Sequence, residues 1–264
     1  MSLPIQLIST DFDGTLFAEF ENPPVPPALQ TLLAALQARG AKWVINTGRD
    51  LSSLLEALGR ARVSVHPDYL ALVEREIYVR EGHRYVPLEP WNSQCGRMNA
   101  ALFARVREDL PRLRAWLNER FDLTLYEDAW SPLCLIAENN TDADAAVAYL
   151  ADYAAGVPNL TVVRNDVYAR FSHGDYNKGT ALAEIARRLG LGPEVTFAAG
   201  DHWNDLPMLR RERARFIAAP ANAVPEVKAQ VEEQGGYLSS QHCGHGVTRS
   251  LEFFLEQHGA LAGL

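Results

Sequence analysis

The chain has 264 residues, 47% of them hydrophobic and 22% charged, which suits one large or two smaller domains with a substantial core. Its formal net charge of −8 argues against nucleic acid or an anionic membrane as a partner, since both need a basic face. Three widely spaced cysteines, without a signal-peptide pattern or a long apolar run, predict a cytoplasmic protein with reduced thiols.

Strand and helix patterns alternate along the first part of the chain. In order, the predicted elements are strand 5–10, helix 27–39, strand 43–46, helix 50–58 and strand 69–73. Because parallel strands need crossover helices, this alternation predicts a parallel sheet that is covered on both faces.

A different pattern follows residue 75. Its predicted elements are hairpin 76–88, helix 98–121 with Pro111 as its candidate breaking point, strands 124–126 and 133–137, helix 142–155, and strands 161–164 and 168–171. A helix followed by two strands occurs twice, which predicts a small antiparallel sheet with helices on one face.

The alternation returns after Gly174. The predicted elements are helix Lys178–Leu189, strand 195–199, helix 205–211, strand 214–218, helix 224–233 and helix 247–258. Roughly ninety residues with a different order of predicted helices and strands therefore interrupt the α/β pattern, and this length fits a small inserted domain.

Two carboxylates directly follow the first strand, in the segment Asp11-Phe12-Asp13-Gly14-Thr15. Like charges this close repel and raise each other's pKa unless a cation or hydrogen-bond donors neutralise them. Mg²⁺ is a suitable cation because it takes oxygen ligands and leaves positions open for phosphate oxygens. An acidic turn is the alternative, so this segment alone favours a metal site only modestly.

Two further segments are candidates for phosphate binding. Thr47-Gly48-Arg49 follows strand 43–46 and offers a hydroxyl and backbone N–H groups, although a plain turn with an N-cap explains it better in isolation. Lys178 opens a helix, where a cation is unfavourable for the helix dipole. A carboxylate and a phosphoryl group beside this ammonium would explain its position, and a solvated surface lysine is equally consistent.

Residues 200–205, Gly-Asp-His-Trp-Asn-Asp, place two acids and an amide after strand 195–199. Ligands bind at the carboxyl ends of strands in open α/β sheets, so all these segments are expected at one edge. Two acidic strand ends, a hydroxyl and a lysine together predict a metal–phosphate site. A calcium loop of the EF-hand type does not fit, because its later ligands are missing.

In this order the four segments resemble the four motifs of the haloacid dehalogenase-like phosphohydrolases. The resemblance implies a Rossmann-like doubly wound core at 1–82 and 174–264, with an inserted α+β cap domain at 83–173. The insert resembles the large cap of the Cof-type and sucrose-phosphatase-like branch. Segment 67–78 is similar to sucrose-phosphate phosphatases, although Glu74-Arg75 stands where those enzymes carry Gly-Ser.

The resemblance also implies residue roles. Asp11 would attack phosphorus to form an aspartyl-phosphate, and Asp13 would act as general acid and then base. Mg²⁺ would be held by the Asp11 carboxylate, the Asp13 backbone carbonyl and Asp201. The residues that would bind phosphoryl oxygens are Thr47, Gly48, Lys178 and Asn204. The remaining candidates are Asp205 as an orienting residue, and Arg49 and Trp203 as substrate contacts.

The sequence therefore predicts a phosphoric monoester hydrolase, a Mg²⁺-dependent phosphatase for a small phosphorylated metabolite such as a sugar phosphate. Alternatives are a phosphomutase or phosphotransferase with the same intermediate, and a non-catalytic binding module on the same fold. His242-Cys243-Gly244-His245 has too few ligands for a soft-metal site, and we expect a loop there. The oligomeric state does not follow from the sequence.

Overall fold

The computed structural model describes residues 3–263, and within them strands and helices alternate as the sequence patterns indicate. The strands are β1 (Leu7–Thr10), β2 (Lys42–Asn46), β3 (Tyr69–Leu72), β4 (Glu76–Glu81), β5 (Arg84–Pro87), β6 (Leu123–Tyr126), β7 (Cys134–Ala137), β8 (Leu160–Asn165), β9 (Tyr168–His173), β10 (Thr196–Ala199), β11 (Phe216–Ala219) and β12 (Tyr237–Leu238). The α-helices are α1 (Pro27–Ala38), α2 (Leu51–Arg60), α3 (Trp91–Val106), α4 (Leu110–Asn118), α5 (Asn140–Ala155), α6 (Lys178–Leu189), α7 (Pro225–Glu233) and α8 (Cys243–Gln257).

The larger sheet has the strand order β12-β11-β10-β1-β2-β3-β4-β5. Strand β1 lies near its centre and pairs in parallel with β10 on one side and β2 on the other. Pairing is parallel from β12 to β3, and β4 and β5 add an antiparallel hairpin at the edge. The carboxyl ends of β1, β2 and β10 therefore meet at one edge of the sheet.

Helices cover both faces of this sheet, which confirms the predicted doubly wound α/β fold. On one face, α1, α2 and α8 bury leucines such as Leu33, Leu54 and Leu251 against Trp43 and Ile45. On the other face, α6 packs against β3 and β4, and α7 packs against β11 and β12. All residues of the central strands β1, β10 and β11 are buried, so these strands show no alternation of buried and exposed positions.

The smaller sheet belongs to a second compact unit, Glu89–Asn177. Its order is β6-β7-β9-β8, with antiparallel pairing throughout. Helices α3, α4 and α5 supply its core on the side of Leu135 and Phe171. Ile136, whose side chain points to the opposite side of β7, is 44% exposed. The predicted antiparallel sheet with helices on one face is thereby confirmed.

The unit boundaries lie at Leu88 and Asn177, later in the chain than the expected limits at 82 and 173. The first difference arises because β5 pairs with β4 and keeps the whole hairpin on the larger sheet. The second arises because the larger unit resumes at Lys178, the first residue of α6.

Three local expectations were wrong. Residues 205–211 form successive turns after a 3₁₀ segment at Trp203–Asp205, because Pro207 lacks the N–H that an α-helix would direct to the Trp203 carbonyl. The break in helix 98–121 precedes Leu110, and Pro111 lies in the first turn of α4, where proline is tolerated. Segment 242–245 is not a loop, because α8 begins at Cys243.

Among residues 3–263, the structure contains no helix that is both long enough and apolar enough to cross a bilayer.

Candidate active site

The strand ends bring the predicted site residues to one edge of the larger sheet. Asp11 follows β1, and its N–H donates to the carbonyl of Ala199 at the end of β10, at 2.9 Å. Thr47 follows β2, and its N–H donates to the carbonyl of Ala71 in β3, at 2.8 Å. These backbone hydrogen bonds to neighbouring strands thus fix the positions of the Asp11 and Thr47 backbones.

Lys178 connects two of the acidic segments. Its Nζ donates to Asp11 Oδ1 and to Asp205 Oδ1, at 2.6 Å each, and the lysine is fully buried. Burial alone would lower the pKa of Lys178, but the charges of Asp11, Asp205 and Glu74 outweigh it and raise the pKa. The ammonium therefore stays charged and is the fixed positive centre of the site.

One ammonium does not balance the carboxylates around it. Oxygens of Asp11, Asp201 and Asp205 lie within 4.8 Å of one another. Burial, together with the charges of Asp205 and Asp201, raises the pKa of Asp11 well above its ordinary value despite the lysine. Burial and the charge of Asp205 raise the pKa of Asp201 to about 7, although Asp201 Oδ1 accepts a 2.6 Å hydrogen bond from Thr15. Three carboxylates and one ammonium leave two negative charges uncompensated, which fits a divalent cation with oxygen ligands.

The hydrogen bonds distinguish Asp205 from the other two acids. Its Oδ1 accepts from Lys178, and its Oδ2 accepts from the backbone N–H groups of Asp201 and His202 at 2.8 and 2.9 Å. Both oxygens are therefore engaged, and Asp205 orients Lys178 and the loop that carries Asp201. Asp201 Oδ2 accepts only a long hydrogen bond of 3.4 Å from Asn222 Nδ2, and Lys178 contacts Asp11 through Oδ1. Asp11 and Asp201 are therefore better placed to offer an oxygen to a metal.

Gly14 lets the first segment approach Asp201. Its φ is +72°, a left-handed conformation that favours glycine, and a Cβ at this position would collide with the Asp201 carboxylate. The Gly14 carbonyl also accepts a hydrogen bond from Asn222 Nδ2 at 2.8 Å. Glycine is thus required both by the turn and by the acid beside it.

Asp13 lies apart from the buried acids and pairs with Arg49. The guanidinium donates through Nε and Nη2 to the two carboxylate oxygens of Asp13, at 2.7 Å each. Arg49 also donates to Ser53 Oγ at 3.0 Å and lies over the ring of Phe12. The hydrogen bonds to Asp13 raise the pKa of Arg49. Arg49, predicted as a substrate contact, thus holds the predicted acid/base residue in this structure.

The other predicted residues lie around the Thr47 segment and the 3₁₀ turn. Thr47 is buried, and its Oγ1 accepts a hydrogen bond from the N–H of Arg49 at 3.2 Å. Gly48 is exposed, and Asn204 is buried with its Nδ2 donating to Glu74 Oε1 at 2.8 Å. Trp203 is half-buried and contacts the ring of His202 edge to face.

Glu74 is the site residue that the motif reasoning missed. It is 5% exposed and lies in the turn between β3 and β4, far in sequence from the Asn204 that it contacts. Its φ is +68°, an unusual conformation for glutamate. The signal in the sequence was the departure from Gly-Ser at Glu74-Arg75, because a glycine position often marks a left-handed backbone.

Two family models match the chain. One, described as haloacid dehalogenase-like hydrolase, matches residues 113–249, which is more than half of the chain. The other, described as sucrose-6F-phosphate phosphohydrolase, matches residues 4–118.

Two curated proteins are similar over different lengths. YxeH of Bacillus subtilis (strain 168), which is named as a phosphatase, is 24% identical, with 93% of this chain and 97% of that protein covered. A phosphoglycolate phosphatase of Methanoculleus marisnigri is 34% identical over 112 residues, which span 40% of this chain and 46% of that enzyme.

Two solved structures show the same fold. The sucrose-phosphatase of Synechocystis sp. PCC6803, in complex with sucrose and phosphate, has a TM-score of 0.72 at 20% identity, with 96% of this chain and 98% of that chain covered. The Bacteroides thetaiotaomicron phosphatase BT1666 has a TM-score of 0.64 at 21% identity, with 95% of each chain covered.

Proposed function

The chain belongs to the haloacid dehalogenase-like hydrolases, and we propose that, as a phosphatase of this family, it hydrolyses the phosphate ester of a small metabolite with Mg²⁺ as cofactor. We favour a sugar phosphate as the substrate class. The similarity of residues 4–118 to sucrose-6F-phosphate phosphohydrolase supports this choice.

The observation that carries the proposal is the buried contact of Lys178 with Asp11. An isolated carboxylate at this depth would take up a proton and lose its nucleophilicity. The 2.6 Å hydrogen bond from Lys178 Nζ favours the ionised form of Asp11 and orients its carboxylate. Lys178 is also a positive charge at the point where a phosphoryl group would approach Asp11, so its charge stabilises the negative charge of the transition state.

The donor set fits Mg²⁺, because hard oxygens and an excess of two negative charges meet in one buried place. The Asp11 and Asp201 carboxylates and the Asp13 backbone carbonyl would hold it. When bound, Mg²⁺ would supply positive charge to the phosphoryl oxygens and to the carboxylates that repel them.

The proposed reaction has two steps. Asp11 attacks phosphorus and forms an aspartyl-phosphate, while Asp13 gives a proton to the leaving oxygen of the substrate. Asp13 then takes a proton from the water that hydrolyses the aspartyl-phosphate, and inorganic phosphate leaves. Thr47 Oγ1, the Gly48 N–H, Lys178 and Asn204 bind the phosphoryl oxygens in both steps.

The Arg49 contact sets the resting state of Asp13 in this proposal. Both carboxylate oxygens of Asp13 accept a hydrogen bond from the guanidinium, so neither oxygen is free to carry the proton that the leaving oxygen needs. Proton donation therefore requires that Asp13 leave Arg49 before the first step. Both side chains are partly exposed, at 30% for Arg49 and 40% for Asp13, so water can replace the pair at small cost.

The test is a phosphatase screen of the purified protein with Mg²⁺. The panel contains phosphorylated sugars, phosphoglycolate and a phosphotransfer acceptor sugar, with inorganic phosphate as the measured product. We expect phosphate release from sugar phosphates, and its loss in Asp11→Asn. Transfer of the phosphoryl group to the acceptor sugar without phosphate release would instead indicate a phosphotransferase or mutase. Full activity of Asp11→Asn would exclude the mechanism.

A further inference from the structure

Glu74 is held rigidly against the Thr47 segment. Its backbone N–H donates to the Thr47 carbonyl at 2.9 Å, and the N–H of Val73 donates to the Arg49 carbonyl at 3.0 Å. Both Val73 and Glu74 have a left-handed backbone, with φ of +45° and +68°. The turn between β3 and β4 is thus fixed to the loop that follows β2, and it directs a buried carboxylate toward residues 200–205.

That carboxylate determines the orientation of the Asn204 side chain. Asn204 Nδ2 donates to Glu74 Oε1 at 2.8 Å, and a carboxylate accepts hydrogen bonds but cannot donate them when ionised. In the structure the amide thus presents its nitrogen, and not its oxygen, to Glu74. Within residues 3–263, Asn204 Oδ1 is buried without a hydrogen-bond partner, so the contact with Glu74 is the hydrogen bond that fixes the amide.

Glu74 also lies next to the other groups proposed to bind phosphate. Its Oε1 is 3.5 Å from the position that a Cβ would take at Gly48. Its charge contributes to the raised pKa of Lys178. Both observations place the Glu74 carboxylate beside the residues proposed to bind the phosphoryl group. A negative charge there repels an anionic substrate, so a positioning role would offset an electrostatic cost.

We propose that Glu74 is a positioning residue that fixes the Asn204 amide, so that the second N–H of Nδ2 is directed to a phosphoryl oxygen. An amide nitrogen carries two hydrogens, and Glu74 takes one of them. Without Glu74 the amide is free to flip and to present its oxygen to the anionic phosphoryl group. This inference rests on the proposed phosphatase function, since it assigns Glu74 to phosphoryl binding.

Three variants separate the hydrogen bond from the fold. Glu74→Gly removes the side chain at a φ that glycine adopts freely, so the turn is retained. Glu74→Gln keeps an oxygen that accepts from Asn204 Nδ2. Glu76→Gln is the matched control, because Glu76 lies in the same hairpin and its carboxylate accepts a hydrogen bond from the Tyr78 hydroxyl instead.

Two readouts are needed. Steady-state kinetics with the best substrate of the screen, and inhibition by inorganic phosphate, measure phosphoryl binding. We expect Glu74→Gly to raise KM and the phosphate inhibition constant about tenfold, because one hydrogen bond to the charged phosphoryl group is lost. For Glu74→Gln we expect both constants to stay within about threefold of the wild-type values. In an Asn204→Ala background, Glu74→Gly should have no further effect.

The second readout does not depend on activity. The side-chain N–H resonances of Asn204 in the metal-free protein should be the same in Glu74→Gln and in the Glu76→Gln control, and should shift or broaden in Glu74→Gly. Unchanged Asn204 resonances and unchanged phosphate inhibition in Glu74→Gly would overturn the inference. So would equal losses in Glu74→Gln and Glu74→Gly. A wild type that hydrolyses no phosphate ester would refute the proposed function, and the resonances would still decide the role of Glu74.

Discussion

Replacement of Lys178 by methionine removes the buried ammonium but keeps a side chain of similar length. Asp11 and Asp205 each accept a 2.6 Å hydrogen bond from Lys178, so the substitution leaves both carboxylates without their common cationic partner. Removing one member of a buried ion pair costs about 3–5 kcal/mol, because the remaining charge is not compensated. For a protein of this size that loss corresponds to a decrease of roughly 10 °C in the thermal midpoint.

The loss should depend on pH in a defined direction. The pKa of Asp11 is raised by burial, and that of Asp201 is raised to about 7, above the values expected in the unfolded chain. A raised pKa in the folded state means that stability is greatest at low pH and falls as the pH rises through that pKa. We therefore expect Lys178→Met to be destabilised more at pH 8 than at pH 5, where a proton can replace the lost positive charge.

The assay is thermal unfolding in a chelator at both pH values, with Lys42→Met as control. Lys42 pairs with Asp68 at 3.0 Å but is 42% exposed, so its loss should cost less than about 1 kcal/mol at either pH. A decrease of the same size at pH 5 and pH 8 would refute the electrostatic reasoning, because lost packing does not depend on protonation. An unchanged midpoint at pH 8 would refute it as well.

Three further predictions concern the metal, Gly14 and Arg49. Because the pKa of Asp201 is raised to about 7, Mg²⁺ should raise the thermal midpoint more at pH 8 than at pH 5, and an equal rise would contradict the assignment. Gly14→Ala should weaken Mg²⁺ binding in calorimetry, because its Cβ would displace the Asp201 carboxylate. Gly82 also has a positive φ, +62°, but open space around its Cβ position, so the control Gly82→Ala should cost only about 1 kcal/mol of backbone strain and leave Mg²⁺ binding unchanged. Because Asp13 must leave Arg49 before it donates a proton, Arg49→Ala should not lower kcat and should move the midpoint by less than about 3 °C. A tenfold lower kcat in steady-state kinetics would contradict the view that this pair belongs only to the resting state.

The motifs could be predicted from the sequence because each follows an apolar strand. A parallel sheet brings the carboxyl ends of neighbouring strands to one edge, so the sequence alone predicts that Asp11, Thr47 and Asp201 lie close together. The same reasoning predicted the inserted antiparallel sheet, since its helices and strands keep their own periodicity.

The contacts between segments could not be predicted in this way. Asp205 lies between Lys178 and the Asp201 backbone, and that arrangement depends on a 3₁₀ turn where the pattern suggested a helix. Glu74 follows β3 and contacts Asn204, which follows β10 on the other side of β1 and β2, and no local pattern links the two residues. The pairing of Asp13 with Arg49 likewise depends on side-chain directions that periodicity does not specify.

The central claim is that Asp11 is the nucleophile, and the most direct measurement is the detection of its phosphorylated form. The protein is mixed with substrate and Mg²⁺, quenched in acid during turnover and reduced with borohydride, which converts an aspartyl-phosphate to homoserine. We expect mass spectrometry to find homoserine at position 11, and to find none in Asp11→Asn. Phosphate release without modification at position 11, or modification at another residue, would contradict the account.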